Sequence, residues 1–294
     1  MHNRLIRAAT RDGSIRAAAC IATELVETAR RCHETSPTAT AALGRALIGT
    51  MFLGLNLKGE DTLTVRIFGD GPLGGIITQA DANYSVRGYV QEPHVHLPPT
   101  SQGKLDVGRA VGKDGFIYVT KDLGLKEPYT GSSPLVSGEI AEDFAYFLHQ
   151  SEQTPAVVAL GVLIDRDHTC IAAGGYFIQA FPGAQEDTLA QLEKNIGEVP
   201  PVTNLIADGF QEVEILQKVF GNIPFEVLAE EDWRFLCRCG KERLEKILIS
   251  LGPEELKDML EKEQGAELRC HFCNKQYHFS REEIEALLEE IRSY

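Results

Sequence analysis

Basic residues are scarce in this sequence, and their scarcity limits the partners that the protein can have. The 294 residues include 29 Lys and Arg against 43 Asp and Glu, which gives a formal net charge of −14 at pH 7. A chain with this excess of negative charge repels the phosphate backbone of nucleic acids. We therefore expect no nucleic acid among its main partners.

Long apolar runs are also missing. The run from Ala17 to Ala22 is too short for the core of a signal peptide. The most apolar window, 39–57, contains Arg45, two threonines and three glycines. It therefore lacks the roughly 20 uninterrupted apolar residues of a membrane span. These absences predict a cytoplasmic protein with no membrane partner, in which thiols stay reduced and cysteines serve a metal or redox role.

The common signatures of nucleotide-binding and hydrolytic enzymes are absent as well. Neither a G-K-[ST] phosphate loop nor a G-x-S-x-G nucleophile motif occurs in the sequence. The segment Gly69–Gly74 fits G-x-G-x-x-G, but a strand pattern from Ile76 follows where a dinucleotide site requires a helix, so we expect a structural turn. We expect loop, surface or capping positions for His94, His96, His149 and His168. The sequence predicts no enzyme.

The first 180 residues alternate between helix and strand patterns. Apolar residues at helical spacing predict helices over Ala18–Cys32 and Gly138–Gln150, and Ser36-Pro37 predicts the start of another. Strand patterns cover Thr62–Phe68, Ile76–Gln79, Tyr84–Val90, Phe116–Thr120, Val157–Ile164 and Thr169–Phe181. Adjacent hairpins with helices grouped apart predict an α+β domain with a mainly antiparallel sheet over residues 1–180.

Residues 181–231 form a different kind of segment, which we predict to be an acidic helical linker. Ten acidic and two basic residues give it a net charge of −8, and Gly and Pro breaks interrupt it. Short amphipathic helices fit its two apolar stripes, Leu189/Leu192/Ile196 and Val213/Leu216/Val219. Such marginal helices connect domains rather than form a robust domain of their own.

Residues 232–294 make up a third, small part. Helix patterns cover Glu242–Leu251 and Glu254–Lys262, a hairpin is predicted around Cys270–Phe279, and a capping box at Ser280 begins a closing helix. A part of roughly 60 residues can bury only a small core. We therefore expect its fold to depend on a bound metal.

Four of the seven cysteines lie in this third part, in two closely spaced pairs. The pairs are Cys237-x-Cys239 and, after thirty intervening residues, Cys270-x-x-Cys273. Each pair can occupy adjacent corners of a tetrahedron, so together they can supply four thiolates to one zinc ion. We predict one zinc per chain, bound by these four cysteines.

Two interpretations of such a site remain, a purely structural zinc and a redox-sensitive one. Four basic residues lie between Arg234 and Arg243, and three lie between Arg269 and Arg281. Cations near a thiol favour the thiolate that oxidants attack, although the same cations would also offset the charge of a four-thiolate zinc. A disulfide across Cys-x-Cys is strained and therefore labile, which favours a reversible redox role.

The remaining cysteines lie outside this region. Cys20 and Cys32 fall on or near the apolar face of a predicted helix, and Cys170 begins a predicted strand. We interpret all three as core thiols. Burial should then protect them from mild oxidants, because it withholds the reactive thiolate.

The cysteine spacing and several short segments resemble the family of 33 kDa chaperonins, the redox-switched holdases of bacteria. The similar segments outside the cysteines are Ser36–Ala39, Ala42–Arg45, Gly71–Gly75, Thr120–Gly124, Val136–Glu139 and Ser151–Pro155. They span most of the chain, whereas the linker contains the fewest recognisable residues.

This resemblance implies an ATP-independent chaperone that is inactive while it is reduced and zinc-bound. It also implies that oxidation pairs Cys237 with Cys239 and Cys270 with Cys273, expels zinc, and unfolds the C-terminal part and the linker. The exposed surfaces would then hold unfolded or oxidatively damaged client proteins, typically as a homodimer.

Two other functions compete with this hypothesis. A zinc-ribbon module that binds RNA is disfavoured, because no basic stripe occurs outside the zinc-binding part. A thiol oxidoreductase is disfavoured, because Cys270-x-x-Cys273 lacks a thioredoxin-like βαβ context. The chaperone remains the leading hypothesis.

Overall fold

Short strands with one or both faces apolar build two sheets in the first part of the chain. The structure is a computed structural model that describes residues 3–262 and 265–292, and the chain divides into two units after Leu236. The strands of the first unit are β1 (Arg4–Thr10), β2 (Ile15–Ile21), β3 (Thr62–Phe68), β4 (Ile76–Asp81), β5 (Ser85–Val90), β6 (Phe116–Asp122), β7 (Tyr129–Pro134), β8 (Ala156–Ile164), β9 (Cys170–Ala180), β10 (Phe225–Asp232) and β11 (Arg234–Phe235). Its helices are α1 (Thr23–His33), α2 (Pro37–Leu53), α3 (Val107–Val111), α4 (Ala141–Gln150), α5 (Glu186–Glu198), α6 (Val202–Ala207) and α7 (Glu212–Phe220).

The two sheets are almost entirely antiparallel. One has the strand order β10-β1-β2-β9-β8 and the other has the order β11-β5-β4-β3-β6-β7. Only the short pairing of β11 with β5 is parallel among the described strands. The predicted α+β class is therefore confirmed, as are the hairpins β4–β5 and β8–β9.

Helix α2 lies in the centre of the main core. It contacts β8 and β9 of the five-stranded sheet and β3, β4 and β5 of the six-stranded sheet. By length and composition the segment Pro37–Asn56 could cross a membrane, but 83% of its most apolar window is buried inside the protein. The helix that Ser36-Pro37 predicts is therefore confirmed, and it is packed within the protein. A Cβ atom on Gly49 would lie 2.5 Å from the Phe144 ring, which explains a glycine within this helix.

The predicted helix over Ala18–Cys32 is wrong at its beginning. Residues Ile15–Ile21 form β2, and the helix begins only at Thr23. Strand β2 lies between β1 and β9, and nearly all of its side chains are buried on both faces. Its sequence is therefore a continuous apolar run, which periodicity cannot distinguish from a buried helix.

The segment predicted as a linker packs as a layer on the five-stranded sheet. Its helices α5, α6 and α7 bury apolar side chains against the sheet face opposite α2. Of the predicted stripes, Leu192, Leu216 and Val219 are buried, whereas Leu189, Ile196 and Val213 are only partly buried against the same core. The segment also supplies β10, which pairs with β1. This strand was not predicted, because half of its eight residues are acidic.

The glycine-rich segment Gly69–Gly74 is a turn, as predicted. Strand β4 follows it, so no helix begins there. The Gly71 amide donates to the Val111 carbonyl at 3.0 Å, and the Leu73 amide donates to the Ala110 carbonyl at 2.9 Å. These amides hold the turn against α3.

The second unit begins at Cys237 and has a small core of its own. Its elements are α8 (Lys241–Leu251), α9 (Pro253–Lys262), β12 (Gly265–Arg269), β13 (Gln276–Ser280) and α10 (Arg281–Arg292). Strands β12 and β13 form the predicted hairpin. The predicted capping box is confirmed: the Glu283 amide donates to Ser280 Oγ at 3.3 Å, and the Ser280 amide donates to Glu283 Oε2 at 2.9 Å. The buried core residues are Leu248, Leu256, Ala266, Phe279, Ile284, Leu287 and Leu288.

Candidate metal centre

Two short segments of the second unit bring four thiols together. Cys237 and Cys239 lie in the stretch before α8, and Cys270 and Cys273 lie in the turn between β12 and β13. The four sulfur atoms all lie within 4.8 Å of one another. Cys237 Sγ is 3.6 Å from Cys270 Sγ, and Cys239 Sγ is 3.3 Å from Cys273 Sγ.

This arrangement fits a tetrahedral metal ion. Zinc–sulfur bonds of about 2.3 Å in a tetrahedron place neighbouring sulfur atoms about 3.8 Å apart, which lies within the observed spread. All four residues are partly buried, so the site is shielded from bulk solvent but still open to small molecules. The residues present therefore fit a four-sulfur zinc site.

The Cys-x-x-Cys turn has the backbone of a zinc knuckle. Backbone amides of Phe272 and Cys273 hydrogen-bond to the Cys270 sulfur, and the Lys275 amide hydrogen-bonds to the Cys273 sulfur. The turn closes because Asn274 adopts a left-handed conformation, with φ of 61°. Asparagine tolerates this region better than most residues, which explains its place directly after Cys273. Amides that point at the sulfur atoms stabilise negative charge there.

The other half of the site receives a hydrogen bond from a side chain. The hydroxyl of Tyr277, on β13, lies 3.1 Å from Cys239 Sγ. Tyr277 was not among the predicted site residues. The alternation of the strand could have indicated that Tyr277 faces inward, because its side chain lies on the same face of β13 as the buried Phe279.

The thiols differ in acidity when the site holds no metal. Partial burial raises the pKa of Cys239, but hydrogen bonds with Tyr277 and the other thiols outweigh it and lower that pKa to about 7. Burial raises the pKa of Cys270 and of Cys273 above the ordinary value for a thiol. A metal ion that binds all four sulfur atoms must therefore displace protons from the site.

Nearby basic residues contribute less to the thiols than the sequence suggested. Lys241 forms an ion pair with Glu283, and Arg281 forms one with Glu285. The acidity of Cys239 depends on hydrogen bonds instead of on these cations. Lys241 and Arg281 therefore offer only weak support for a redox role at Cys239.

The histidines of the second unit are not members of the thiol cluster. Within the described residues, the metal-compatible group at this position consists of the four cysteines. Along β13, exposure alternates: Gln276 and His278 are exposed, whereas Tyr277 is half-buried and Phe279 is buried.

The other cysteines lie in the first unit. Cys20, on β2, is fully buried, and burial raises the pKa of its thiol. Burial also raises the pKa of Cys170 to about 12. Cys32 is only partly buried on α1, so its assignment as a core thiol is wrong in that respect.

Comparison with known proteins agrees with this architecture. A family model described as Hsp33 protein matches residues 3–280. The 33 kDa chaperonin of Desulforamulus reducens is 49% identical over 291 residues, which cover 99% of each chain. That of Geobacillus sp. strain WCH70 is 47% identical and covers 98% of this chain and 97% of its own. The crystal structure of the 33 kDa chaperonin from Thermotoga maritima is 36% identical and matches with a TM-score of 0.93 over 100% of both chains.

Proposed function

The chain belongs to the Hsp33 family of chaperones, and on this basis we propose that it is a redox-regulated, ATP-independent holdase. Its reduced form holds zinc and is inactive, and oxidation activates it. The observation that carries the proposal is the cluster of four thiols within 4.8 Å in a unit with a small core. Its clients are unfolding and oxidatively damaged proteins, and its compartment is the cytoplasm.

In the reduced state, one zinc ion is bound by Cys237, Cys239, Cys270 and Cys273. When bound, zinc cross-links the stretch before α8 to the turn between β12 and β13. Structural zinc contributes roughly 10–16 kcal/mol of apparent binding free energy in small metal-dependent domains. A whole domain is typically stable by only about 5–15 kcal/mol. The fold of the second unit therefore depends on the metal.

Oxidation removes the ligands. Two pairs of thiolates each lose two electrons to one molecule of hydrogen peroxide and form a disulfide, while each peroxide takes up two protons from solvent and is reduced to two water molecules. Disulfide sulfurs carry no negative charge, so the metal would leave as Zn²⁺. The family resemblance favours the pairs Cys237–Cys239 and Cys270–Cys273. The shortest sulfur distances join the opposite pairs, Cys237 with Cys270 and Cys239 with Cys273. Proximity and resemblance thus favour different products, which peptide mapping distinguishes.

Loss of zinc then destabilises neighbouring parts of the chain. We divide the chain by its response to zinc loss into a stable part (1–180), an acidic linker (181–231) and a switch (232–294). The switch unfolds from Cys237 onward, because the small core of the second unit does not suffice without metal, whereas Trp233 stays buried in the core of the first unit. The linker loosens because its helices are short and it carries a net charge of −8.

The surface that becomes available is apolar. Ile6, Ala8, Ile15 and Ile178 on the five-stranded sheet pack against the linker helices. Once uncovered, they form an apolar face beside acidic segments. Apolar surface binds unfolded chains, and like charge around it prevents the chaperone itself from precipitating. Two copies of the oxidised protein form a homodimer.

Light scattering of a heat-unfolding client such as citrate synthase tests this proposal. Protein that was treated with peroxide should suppress the scattering, and protein kept with reductant and zinc should not. Equal activity of both forms contradicts the redox switch, and no activity in either form contradicts the holdase function.

Two further measurements examine the site itself. X-ray absorption of the reduced protein should show four sulfur neighbours around one zinc, and nitrogen or oxygen in the first shell contradicts the four-cysteine assignment. Peptide mapping after mild peroxide should find disulfides within each cysteine pair, with Cys20 and Cys170 still reduced because both are buried.

A further inference from the structure

The side chain of Tyr277, outside the four cysteines, contacts the candidate zinc site. The Tyr277 hydroxyl lies 3.1 Å from Cys239 Sγ, across 38 residues of sequence. We propose that Tyr277 is a positioning residue of the metal centre, whose hydroxyl donates to the ligated Cys239 sulfur and slows the release of zinc. This inference rests on the proposed zinc site.

The direction of the hydrogen bond follows from the chemistry of a ligated cysteine. A sulfur atom bound to zinc has lost its proton, so it can only accept. The tyrosine hydroxyl can donate, and charge-assisted hydrogen bonds of this kind are stronger than neutral ones. Four thiolates around one Zn²⁺ leave two negative charges in excess, which such donors stabilise.

The two halves of the site obtain their donors in different ways. Cys270 and Cys273 lie in the knuckle, whose own backbone amides point at their sulfur atoms. Cys239 lies in a stretch without helix or strand, and Tyr277 is its hydrogen-bonding partner from outside the four thiols. Tyr277 therefore does for Cys239 what the knuckle amides do for the other pair.

The surroundings of Tyr277 hold its ring in place. Tyr277 lies opposite Leu268 in the β12–β13 hairpin and packs against the core of the second unit. The Lys275 ammonium lies 5.2 Å from the centre of its ring. A cation over the ring restricts its position and makes the hydroxyl a better donor. The geometry is therefore built into the hairpin that also supplies Cys270 and Cys273.

The test compares Tyr277→Phe, which removes only the hydroxyl, with Tyr129→Phe. Tyr129 lies on β7 of the first unit and is 54% exposed, so it offers the same chemical change outside the unit that holds the site. Each reduced protein is loaded with one equivalent of zinc and mixed with excess 4-(2-pyridylazo)resorcinol. Outer-shell donors typically change metal affinity 10- to 100-fold, so Tyr277→Phe should release zinc at least 10-fold faster than the wild type. Tyr129→Phe should match the wild type.

Cobalt substitution provides a readout that a purely structural role would not change. The visible bands of Co²⁺ should stay those of a four-sulfur site in Tyr277→Phe, whereas the sulfur-to-metal charge-transfer band should shift. Replacement of Tyr277 by 3-fluorotyrosine keeps the ring and strengthens the donor, so it should slow zinc release. If Tyr277→Phe folds poorly, the zinc-release rate of the 3-fluorotyrosine variant tests the role of the hydroxyl.

The outcomes separate the inference from the function on which it rests. A wild-type protein that binds no zinc overturns both. A wild-type protein that binds zinc, together with release rates within twofold for all Tyr277 variants, overturns the role of Tyr277 and leaves the zinc site intact.

Discussion

The two units of the chain are stabilised in different ways. The first unit packs α2 against two sheets, and its fully buried side chains include Trp233, Phe144 and Phe147. The second unit packs two helices and a capped third helix around a hairpin, with Phe279 as its largest fully buried side chain. A unit of this size has too little apolar surface to be robust without a cross-link. A change at four sulfur atoms should therefore unfold the second unit and spare the main core around α2 in the first.

The linker layer is intermediate between these two cases. Its helices bury apolar side chains, but ion pairs also attach the segment to β1. Arg4 pairs with the buried Glu212 of α7 at 2.8 Å, and Arg7 pairs with Glu231 at 2.9 Å. A layer attached in this way can be loosened in steps, whereas the main core unfolds as a whole.

Removal of the metal is expected to have the largest effect. Replacement of all four site cysteines by serine should abolish hydrogen-exchange protection over 237–292 and reduce it over the linker, because zinc contributes roughly 10–16 kcal/mol. Strands β3 and β6 should keep their protection. Full protection over 237–292 in this variant contradicts the dependence of the second unit on metal.

The second prediction concerns the first unit alone. The hydrogen bond from Arg30, acting against partial burial, lowers the pKa of Glu27 to about 2, with further help from the Cys170 amide and Arg31. Glu27→Gln should destabilise this unit by about 2–3 kcal/mol at pH 7 in urea unfolding.

The lowered pKa of Glu27 determines how the cost of Glu27→Gln depends on pH. Because the folded-state pKa of Glu27 lies below its unfolded value of about 4.5, its contribution is complete above that value. The contribution is lost as the pH falls toward 2, so wild type and variant should converge there. Glu142→Gln, at an exposed helical position, is the control and should cost little at either pH. A constant difference across this range contradicts the assigned role of the carboxylate.

The third prediction concerns the linker layer. Glu212→Gln weakens the ion pair with Arg4 and should cost about 1–2 kcal/mol of linker docking. Hydrogen exchange over α7 should increase, and less peroxide should be needed for client binding. Glu193→Gln, at an exposed position of α5 in the same linker, is the matched control for charge. Identical peroxide dependence in both variants contradicts a role for linker docking in activation.

The smallest expected effect concerns the helix cap of the second unit. Ser280→Ala removes one half of the capping box and should cost about 1 kcal/mol. If metal binding and folding are coupled there, as proposed, this cost should appear as a roughly fivefold weaker apparent zinc affinity. Ser250→Ala on α8 is the control. An unchanged affinity for Ser280→Ala would show that α10 forms independently of the metal.

Much of the fold could be predicted from local patterns. The beginning of α2 at Pro37, the β8–β9 hairpin and the capping box at Ser280 each depend on a few adjacent residues. The thiol cluster follows from the spacing of its two pairs, because a turn and a short stretch can place both within reach of one ion.

Other features depend on contacts between distant residues. Strand β10 forms because it pairs with β1, more than 200 residues away in sequence, and its acidic composition gave no strand signal. Strand β2 was mistaken for helix because both of its faces are buried. The contact between Tyr277 and Cys239 requires the hairpin and the Cys-x-Cys stretch to meet, which a sequence pattern does not describe.

The pairing of β10 with β1 turns most of the linker into a closed loop. Strand β9 fixes the chain up to Ala180, and β10 fixes it again from Phe225 onward. If α5, α6 and α7 detach while β10 stays paired, both ends of the released segment remain on the sheet that it covered. The segment then returns to its place at the high effective concentration of a tethered ligand, on the order of millimolar. Linker redocking would thus be an intramolecular reaction whose rate does not depend on protein concentration.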